Sequence, residues 1–273
     1  MSSIPLQTGI IYGPVKTRRL GWSLGLNVSP TRYKFCSFNC VYCQYGWTKI
    51  CALDTTEKVG DFPTPAEFEK ALESALRRLR DVPIDNVTFS GNGEPTIHPQ
   101  FEELVAIAKR LKEKYLPKAK LGVLSNSSTV CLEKVRRALV KLDFKIMKLD
   151  VGDPETFRET NRPCSGVDYR AMVDGLKSLP NVTLQTMFID GEISNIGERE
   201  IGEWIKRVGE IKPLKAQIYS LHRPSAASSL QEVPAEKLKE IAGRAEKATG
   251  VPVEVIVAAA PYAKRVNQPY DKQ

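Results

Sequence analysis

The sequence predicts an α/β protein: a parallel sheet with helices outside, curled into a partial (β/α)6 barrel of the TIM type. Three observations carry this. Apolar runs of strand length alternate with apolar runs of helical period six times in succession. Length also matters: 273 residues hold six such units, whereas a full eight-unit barrel needs about 250 residues and two more units than can be counted. Finally, each group of unusual polar residues falls just after a strand, and in parallel α/β folds that end of the sheet carries the ligand site.

In chain order, strands are expected over Trp22–Val28, Asn86–Ser90, Lys120–Ser125, Phe144–Asp150, Val182–Ile189 and Leu214–Leu221. The first helix places Phe68, Ala71, Leu72, Ala75, Leu76 and Leu79 on one face, the stripe a core-facing helix needs. Its start is well marked, with Thr64 as cap, Pro65 at the first helical position and Glu67 completing a capping box. The second carries Phe101, Leu104, Val105, Ala108 and Leu111. Further helices are expected near 131–141, 168–178, 198–211 and 235–248, and Ile201, Trp204, Ile205, Val208 and Ile211 keep register in the one over 198–211. Pro252–Val257 suits an added edge strand. The first ~20 and last ~15 residues look irregular, by the absence of either period. No linker, repeat or low-complexity stretch divides residues 1–273, so one domain is expected, with its core over about 19–250.

Hydrophobic residues make up 42% and charged residues 26%, which excludes disordered, collagenous and coiled-coil chains. No apolar run is long enough to span a membrane, and the N-terminus lacks the basic-then-apolar pattern of a signal peptide. Six cysteines, three within eight residues and three scattered, make a poor disulfide framework and a good ligand set. A cytoplasmic protein with reduced thiols is the expectation. The formal charge of +8 suits RNA or DNA or an acidic electron-donor protein. It also suits a solvated surface, because no run of five basic residues appears.

Cys36, Cys40 and Cys43 form a C-x3-C-x2-C set. Three thiolates this close can wrap one metal centre. A structural zinc site wants four ligands, for which Cys51 or His98 are the candidates. An iron–sulfur cube held by three cysteines instead leaves one iron open to a substrate or cofactor. Cys51, Cys131 and Cys164 read as ordinary small residues, although folding can still gather them.

The C-x3-C-x-aromatic-C pattern, with Tyr42 in the aromatic slot, resembles the signature of the radical S-adenosylmethionine (SAM) superfamily. A strand and Gly91-Asn92-Gly93-Glu94-Pro95 follow about 50 residues later. The resemblance covers nearly the whole chain, from about Arg19 to about residue 250. It implies a [4Fe–4S] cluster on Cys36, Cys40 and Cys43, whose open iron chelates SAM. One electron then releases methionine and a 5′-deoxyadenosyl radical that takes hydrogen from a substrate. It places Tyr42 near the adenine, and Gly91, Asn92, Gly93 and Glu94 around the methionyl ammonium. Asn92 stands where the family motif has glycine. Ser125 and Asn126 are expected at the carboxylate or ribose, Asp150 at the ribose and Gln185 on the adenine side.

A low-potential electron donor of the flavodoxin or ferredoxin type is implied as partner. Residues 13–21, 90–95 and 161–163 are similar to a small-protein branch grouped with the wyosine-base synthases. No cysteine precedes Cys36, so the second cluster of those enzymes has no ligands here, and RNA modification is the broader reading kept. A glycyl-radical activase acting on a partner protein is the alternative enzyme; an iron–sulfur electron carrier or a zinc-binding module is the alternative without catalysis. Arg18, Arg19, Arg162, His222 and Arg223 are the candidate substrate contacts, with arginine chosen for its fork-shaped fit to phosphate or carboxylate.

Overall fold

A computed structural model describes residues 3–17 and 19–257. Its main sheet has eight strands. β1 (Ile11–Thr17) pairs antiparallel with β2 (Gly21–Leu26). From β2 onward every neighbour is parallel: β5 (Asn86–Phe89), β6 (Lys120–Ser125), β7 (Phe144–Lys148), β8 (Val182–Met187), β10 (Lys215–Tyr219) and β12 (Val253–Val255). The intervening β3 (Phe35–Cys36) and β4 (Ile50–Cys51) form a separate parallel pair, and β9 (Ile189–Gly191) and β11 (Leu230–Glu232) a small antiparallel one. The helices are α1 (Pro65–Arg78), α2 (Phe101–Tyr115), α3 (Glu133–Leu139), α4 (Pro154–Thr160), α5 (Tyr169–Ser178), α6 (Glu198–Ile211) and α7 (Ala235–Thr249).

All six expected strands form, Lys120–Ser125 with the expected bounds and the other five ending one to two residues early, and the late apolar run supplies β12. Two expectations are corrected. The N-terminal region is not irregular: β1 closes one edge of the sheet. Its period was hidden because Gly13-Pro14 interrupts the pattern and the pairing register shifts between Tyr12 and Val15. The strand–helix alternation is not strict either, since α4 and α5 both lie between β7 and β8. α4 is only seven residues long, too short to show a helical stripe. Most of the expected irregular C-terminus lies outside the described residues.

The helices cover one face of the sheet. Alternate strand residues such as Val87, Phe89, Leu121, Val123 and Leu184 are buried against Phe68, Leu72, Leu104 and Leu176, as a half-sheet pleat dictates. Phe89 stacks with Phe68 at 6.0 Å and meets Phe101 edge-on at 5.4 Å. Trp204, fully buried, meets Phe188 at 5.2 Å and satisfies its indole N–H on the Thr186 hydroxyl at 3.0 Å.

The other face of the sheet is polar. In-register pairing puts Lys148, Gln185, Gln217 and Glu254 in one row across β7, β8, β10 and β12. Ser23 and Thr88 add a hydroxyl pair at 2.9 Å on the same face. On β2, Gly25 makes room for the Tyr12 ring, whose atoms would lie 2.1 Å from any Cβ placed there. The polar face is thus fitted to groups that bridge or bind across it, and the apolar face to the helices.

The capping box at α1 forms as expected, with Thr64 and Glu67 bonding each other's backbone amides at 2.8 and 3.3 Å. Thr64→Ala should lower stability by about 1 kcal/mol with an unchanged denaturant slope, measured by urea unfolding.

Candidate functional site

The cysteine loop leaves the carboxyl end of β2, and the carboxyl ends of β5, β6 and β7 converge on it. Three thiols frame the site. Cys36 is buried, and Cys40 and Cys43 are half-buried. Burial pushes the Cys40 thiol up to about 11 and Cys36 higher still. Alone, these groups stay protonated; a bound cation inverts that balance and draws out the thiolates. Lys34 donates to the Gly46 carbonyl at 2.9 Å. Burial opposes its charge, but Cys43, Cys36 and Cys40 outweigh that and hold its pKa above the ordinary lysine range. The three sulfurs thus gather about one ammonium. Among the described residues no three His, Cys, Asp or Glu side chains close into a single-ion site.

Two amides touch the sulfurs. Asn126 Nδ2 lies 3.6 Å from Cys36 Sγ and donates to Ser37 Oγ at 2.9 Å. Asn161 Nδ2 lies 3.5 Å from Cys40 Sγ. The same nitrogen reaches Tyr42 Oη at 3.0 Å and Asp150 Oδ2 at 2.8 Å. N–H donors aimed at sulfur stabilise the thiolate form and tune a metal bound to it. Asn161 Oδ1 is buried without a protein partner. Three thiols, two amide donors and one orphaned acceptor fit a metal–sulfur group.

Asp150 is the hub of the site. Its Oδ1 accepts from Lys148 Nζ at 3.0 Å and the Met187 amide at 2.8 Å; its Oδ2 accepts from Asn161 and the Tyr42 hydroxyl. A carboxylate has about four acceptor positions, and all are taken. Expected at the ribose, Asp150 here organises its neighbours. Burial raises the Tyr42 pKa, with Asp150 adding to the effect. Lys148 sits 5.0 Å from the Tyr42 ring centre and 5.3 Å from that of Tyr219, whose hydroxyl it meets at 3.2 Å. Burial disfavours the Lys148 charge, yet Asp150 keeps its pKa raised. The Tyr219 hydroxyl donates to Gln185 Oε1 at 3.2 Å. Among the described residues, Gln185 Nε2 and Gln217 Oε1 are buried with no partner, and the two residues stand in register on the polar face.

Glu94 is different. Its Oε1 accepts from the Thr96 amide at 3.0 Å, the Thr96 hydroxyl at 2.6 Å and Ser125 Oγ at 2.8 Å, while Oε2 accepts only the Asn126 amide at 2.5 Å. Burial pushes its pKa up despite these bonds, and among the described residues no cation pairs with it. Oε2 keeps an acceptor position for an ammonium, which would hold the carboxylate ionised. Gly93 is required by close approach, because a Cβ there would lie 1.8 Å from the Phe35 carbonyl oxygen. Gly91 has φ +147°, with Asn27 Oδ1 only 2.3 Å from any added Cβ.

Several expected contacts are corrected. Asn92 is fully buried and spends its side chain on Gln7 and Pro30 at 2.7–3.1 Å, with its amide on Asn27, so it braces the glycine turn. His98 is no metal ligand as placed: Nε2 meets the Pro63 carbonyl at 2.9 Å and Nδ1 accepts the Gln100 amide at 3.1 Å. Arg19 lies in the turn before β2, at the end of that strand away from the cysteines, and stacks on Tyr219 at 5.2 Å. Its Nη1 is buried and unpartnered. Arg162 stacks on Trp47 at 5.1 Å beside the cysteine loop, and Arg223 reaches Gln44 at 2.5 Å. His222 pairs with Glu232 at 3.1 Å, leaving Nε2 without a partner. Arg18 lies outside the described residues. Sequence reasoning missed Lys34, Lys148 and the bonding role of Asn161. The signal for Lys148 was its place at the carboxyl end of the Phe144–Lys148 strand, two residues before Asp150.

A polar-faced partial barrel with a three-cysteine loop at the carboxyl ends of its strands defines a class of metal–sulfur enzymes. The chain belongs to the Radical SAM superfamily, whose family model matches residues 31–195. Enzymes of this superfamily use a [4Fe–4S] cluster and SAM. The chain is 30% identical over 86% of its length to the protein named GTPase Obg of Brachyspira hyodysenteriae, but spans only 34% of that protein. No Gly-x4-Gly-Lys-Ser/Thr phosphate loop occurs here. It is 30% identical to the UPF0026 protein MJ1312 of Methanocaldococcus jannaschii, with 85% of this chain and 70% of that one covered. Among solved structures, TYW1 with a lysine–pyruvate adduct bound shares the fold, with TM-score 0.59, 14% identity and coverage of 82% and 73%.

His98 supplies a pH test of the floor beneath this site. Burial pushes its pKa from 6.5 down to about 4, so the unfolded chain binds the extra proton first. Stability should fall as pH drops from about 6.5 to about 4, by up to about 3 kcal/mol from this residue. Urea unfolding of His98→Gln beside the parent at pH 7 and pH 5 should show a smaller loss in the variant.

Proposed function

We propose that Cys36, Cys40 and Cys43 hold a [4Fe–4S] cluster, and that the pocket beside it binds SAM and directs its one-electron cleavage toward a substrate hydrogen. The observation that carries this reading is the buried, cation-free Glu94 carboxylate placed across from three thiols in the Radical SAM match region. When bound, the cluster and SAM supply electron transfer and hydrogen-atom abstraction. The chain's residues bind and orient. Glu94 Oε2 receives the methionyl ammonium, and Gly91 and Gly93 let the turn that carries Glu94 pack against Asn27 and the Phe35 carbonyl. Ser125 and Asn126, fixed by Glu94 and Ser37, stand at the SAM carboxylate or ribose. Tyr42, locked by Asp150 and Lys148, forms a wall on the nucleoside side, where Gln185 offers its free Nε2. Asn126 and Asn161 hold donors toward the sulfurs, and Lys34 offsets the negative charge that three thiolates bring.

Reconstitution with iron and sulfide under anaerobic conditions, then SAM and dithionite, should yield 5′-deoxyadenosine. Cys40→Ala should give no product and no intact cluster absorption. Glu94→Gln should keep the absorption yet weaken SAM binding at least tenfold, read by the spectral change on titration. A product yield from Cys40→Ala equal to the parent's would overturn the ligand assignment.

The reductant is a low-potential carrier of the flavodoxin or ferredoxin type, and the substrate is an anionic macromolecule of the RNA class. The net charge of +8 supports both. Binding of transfer RNA should then weaken steeply with salt, by a slope of about −0.7 to −0.9 per phosphate contact. A flat salt profile in a filter-binding titration would remove RNA.

A further inference from the structure

Two more thiols meet beside the cysteine loop. Cys51 ends β4, where it stands in register with Cys36 on β3. Cys164 comes from the turn after α4. Its amide donates to the Ser37 carbonyl at 2.9 Å, and its neighbour Pro163 bridges to Phe38. Backbone pairing from two sides therefore delivers residues far apart in sequence to the same stretch, Cys36–Phe38. The two side chains are close enough to influence each other, and Cys51 Sγ lies 4.0 Å from the Arg162 carbonyl. Both are free thiols and both are half-buried, so a small reagent can reach them.

We propose that Cys51 and Cys164 form a dithiol–disulfide site that exchanges with low-molecular-weight disulfides. One of the two sulfurs, as thiolate, attacks the small disulfide, breaking its S–S bond. This gives a protein–small-molecule mixed disulfide and a small thiolate, which takes up a proton. The second protein thiol loses its proton and attacks the first protein sulfur, displacing the other small thiol. Two protein thiols are oxidised to one disulfide, and one small disulfide is reduced to two thiols. Backbone pairing seats both residues on the same stretch, Cys51 against Cys36 and Cys164 against Ser37, so closure is a local change of two neighbouring side chains.

The bond would act as a staple. The segment before Cys164 is the one that holds the cysteine loop. The Asn161 and Arg162 carbonyls accept from the Asn39 amide at 3.1 and 3.0 Å, and the Thr160 carbonyl accepts from the Val41 amide at 3.1 Å. Closure ties this segment to β4 on the far side of Cys36, so both flanks of the loop are fixed to each other. The inference rests on the Cys51–Cys164 contact and goes beyond the SAM reaction.

The test uses the cluster-loaded protein, anaerobically, treated with glutathione disulfide. Remaining thiols are then alkylated, and peptides are mapped by mass spectrometry without reduction. The expected product is a Cys51–Cys164 cross-linked peptide pair with two glutathiones released per chain. Cys131 serves as the unpaired reference thiol and should carry alkyl or a single glutathione. Cys164→Ser should leave Cys51 with glutathione attached and no cross-link. Iron loss to a chelator should slow several-fold in the cross-linked parent and not in treated Cys164→Ser; equal rates would overturn the staple. Finding Cys51 and Cys164 both alkylated, each carrying its own glutathione, or joined to Cys36, Cys40 or Cys43, would overturn the site. Iron content and visible absorption of the same sample report cluster assembly separately, so failure of the cluster reading is distinguishable.

Discussion

The Asp150 carboxylate sets the geometry on which the site depends. It lies at the end of a parallel strand, almost wholly out of water, and four donors share it: an ammonium, a phenol, a side-chain amide and a backbone amide. A buried charge is tolerable only when it is paired and fully hydrogen-bonded, and here that demand pulls separate parts of the chain together. Tyr42 brings the cysteine loop, Asn161 the end of α4, Lys148 the polar face, and Met187 the end of β8. Removing one member of such a pair costs about 3–5 kcal/mol in general, so the loop, the helix end and the strand ends hold position as one unit.

Glu94 repeats the pattern one strand pair away and differs in one respect that matters. Asp150 already has a cation; Glu94 has none among the described residues. The first carboxylate is therefore a structural hub and the second is left with demand for positive charge. Two acids of similar burial, after β5 and β7 with β6 between them, thus differ in whether the protein supplies a cation. The difference comes from the inward-facing Lys148 beside one of them and the hydroxyls of Thr96 and Ser125 around the other.

Much of this was legible in the sequence. The six strands, the helices of periodic stripe and the Thr64 cap follow from short-range pattern, because strand and helix periods are written into neighbouring residues. The cysteines and the glycine turn were legible as spacing. What escaped was long-range pairing. β1 was lost because Gly13-Pro14 breaks its alternation. The short α4 carries too few apolar residues to show a period. Asn92 read as part of a ligand turn because its spacing could not reveal that Gln7 and Pro30 consume its amide. Asp150 read as a ligand because its four internal donors come from residues up to 108 positions distant. Lys34, which gathers the three thiols, carries no signal in the spacing that marks the cysteines.

The separation of those partners has a consequence for how the protein is made. Cys40 and Tyr42 emerge early in synthesis, whereas the groups that seat them, Asp150 and Asn161, emerge more than a hundred residues later. Long-range contacts of this kind form late in folding, and domains synthesised from the N-terminus hold early segments incomplete until their partners arrive. While the residues between Cys43 and Asn161 are being made, the three thiols hang on an unseated loop, open to stray metals and oxidants. Metal–sulfur assembly is therefore an event of the finished or nearly finished chain, timed by the appearance of Asn161 rather than by that of the cysteines themselves.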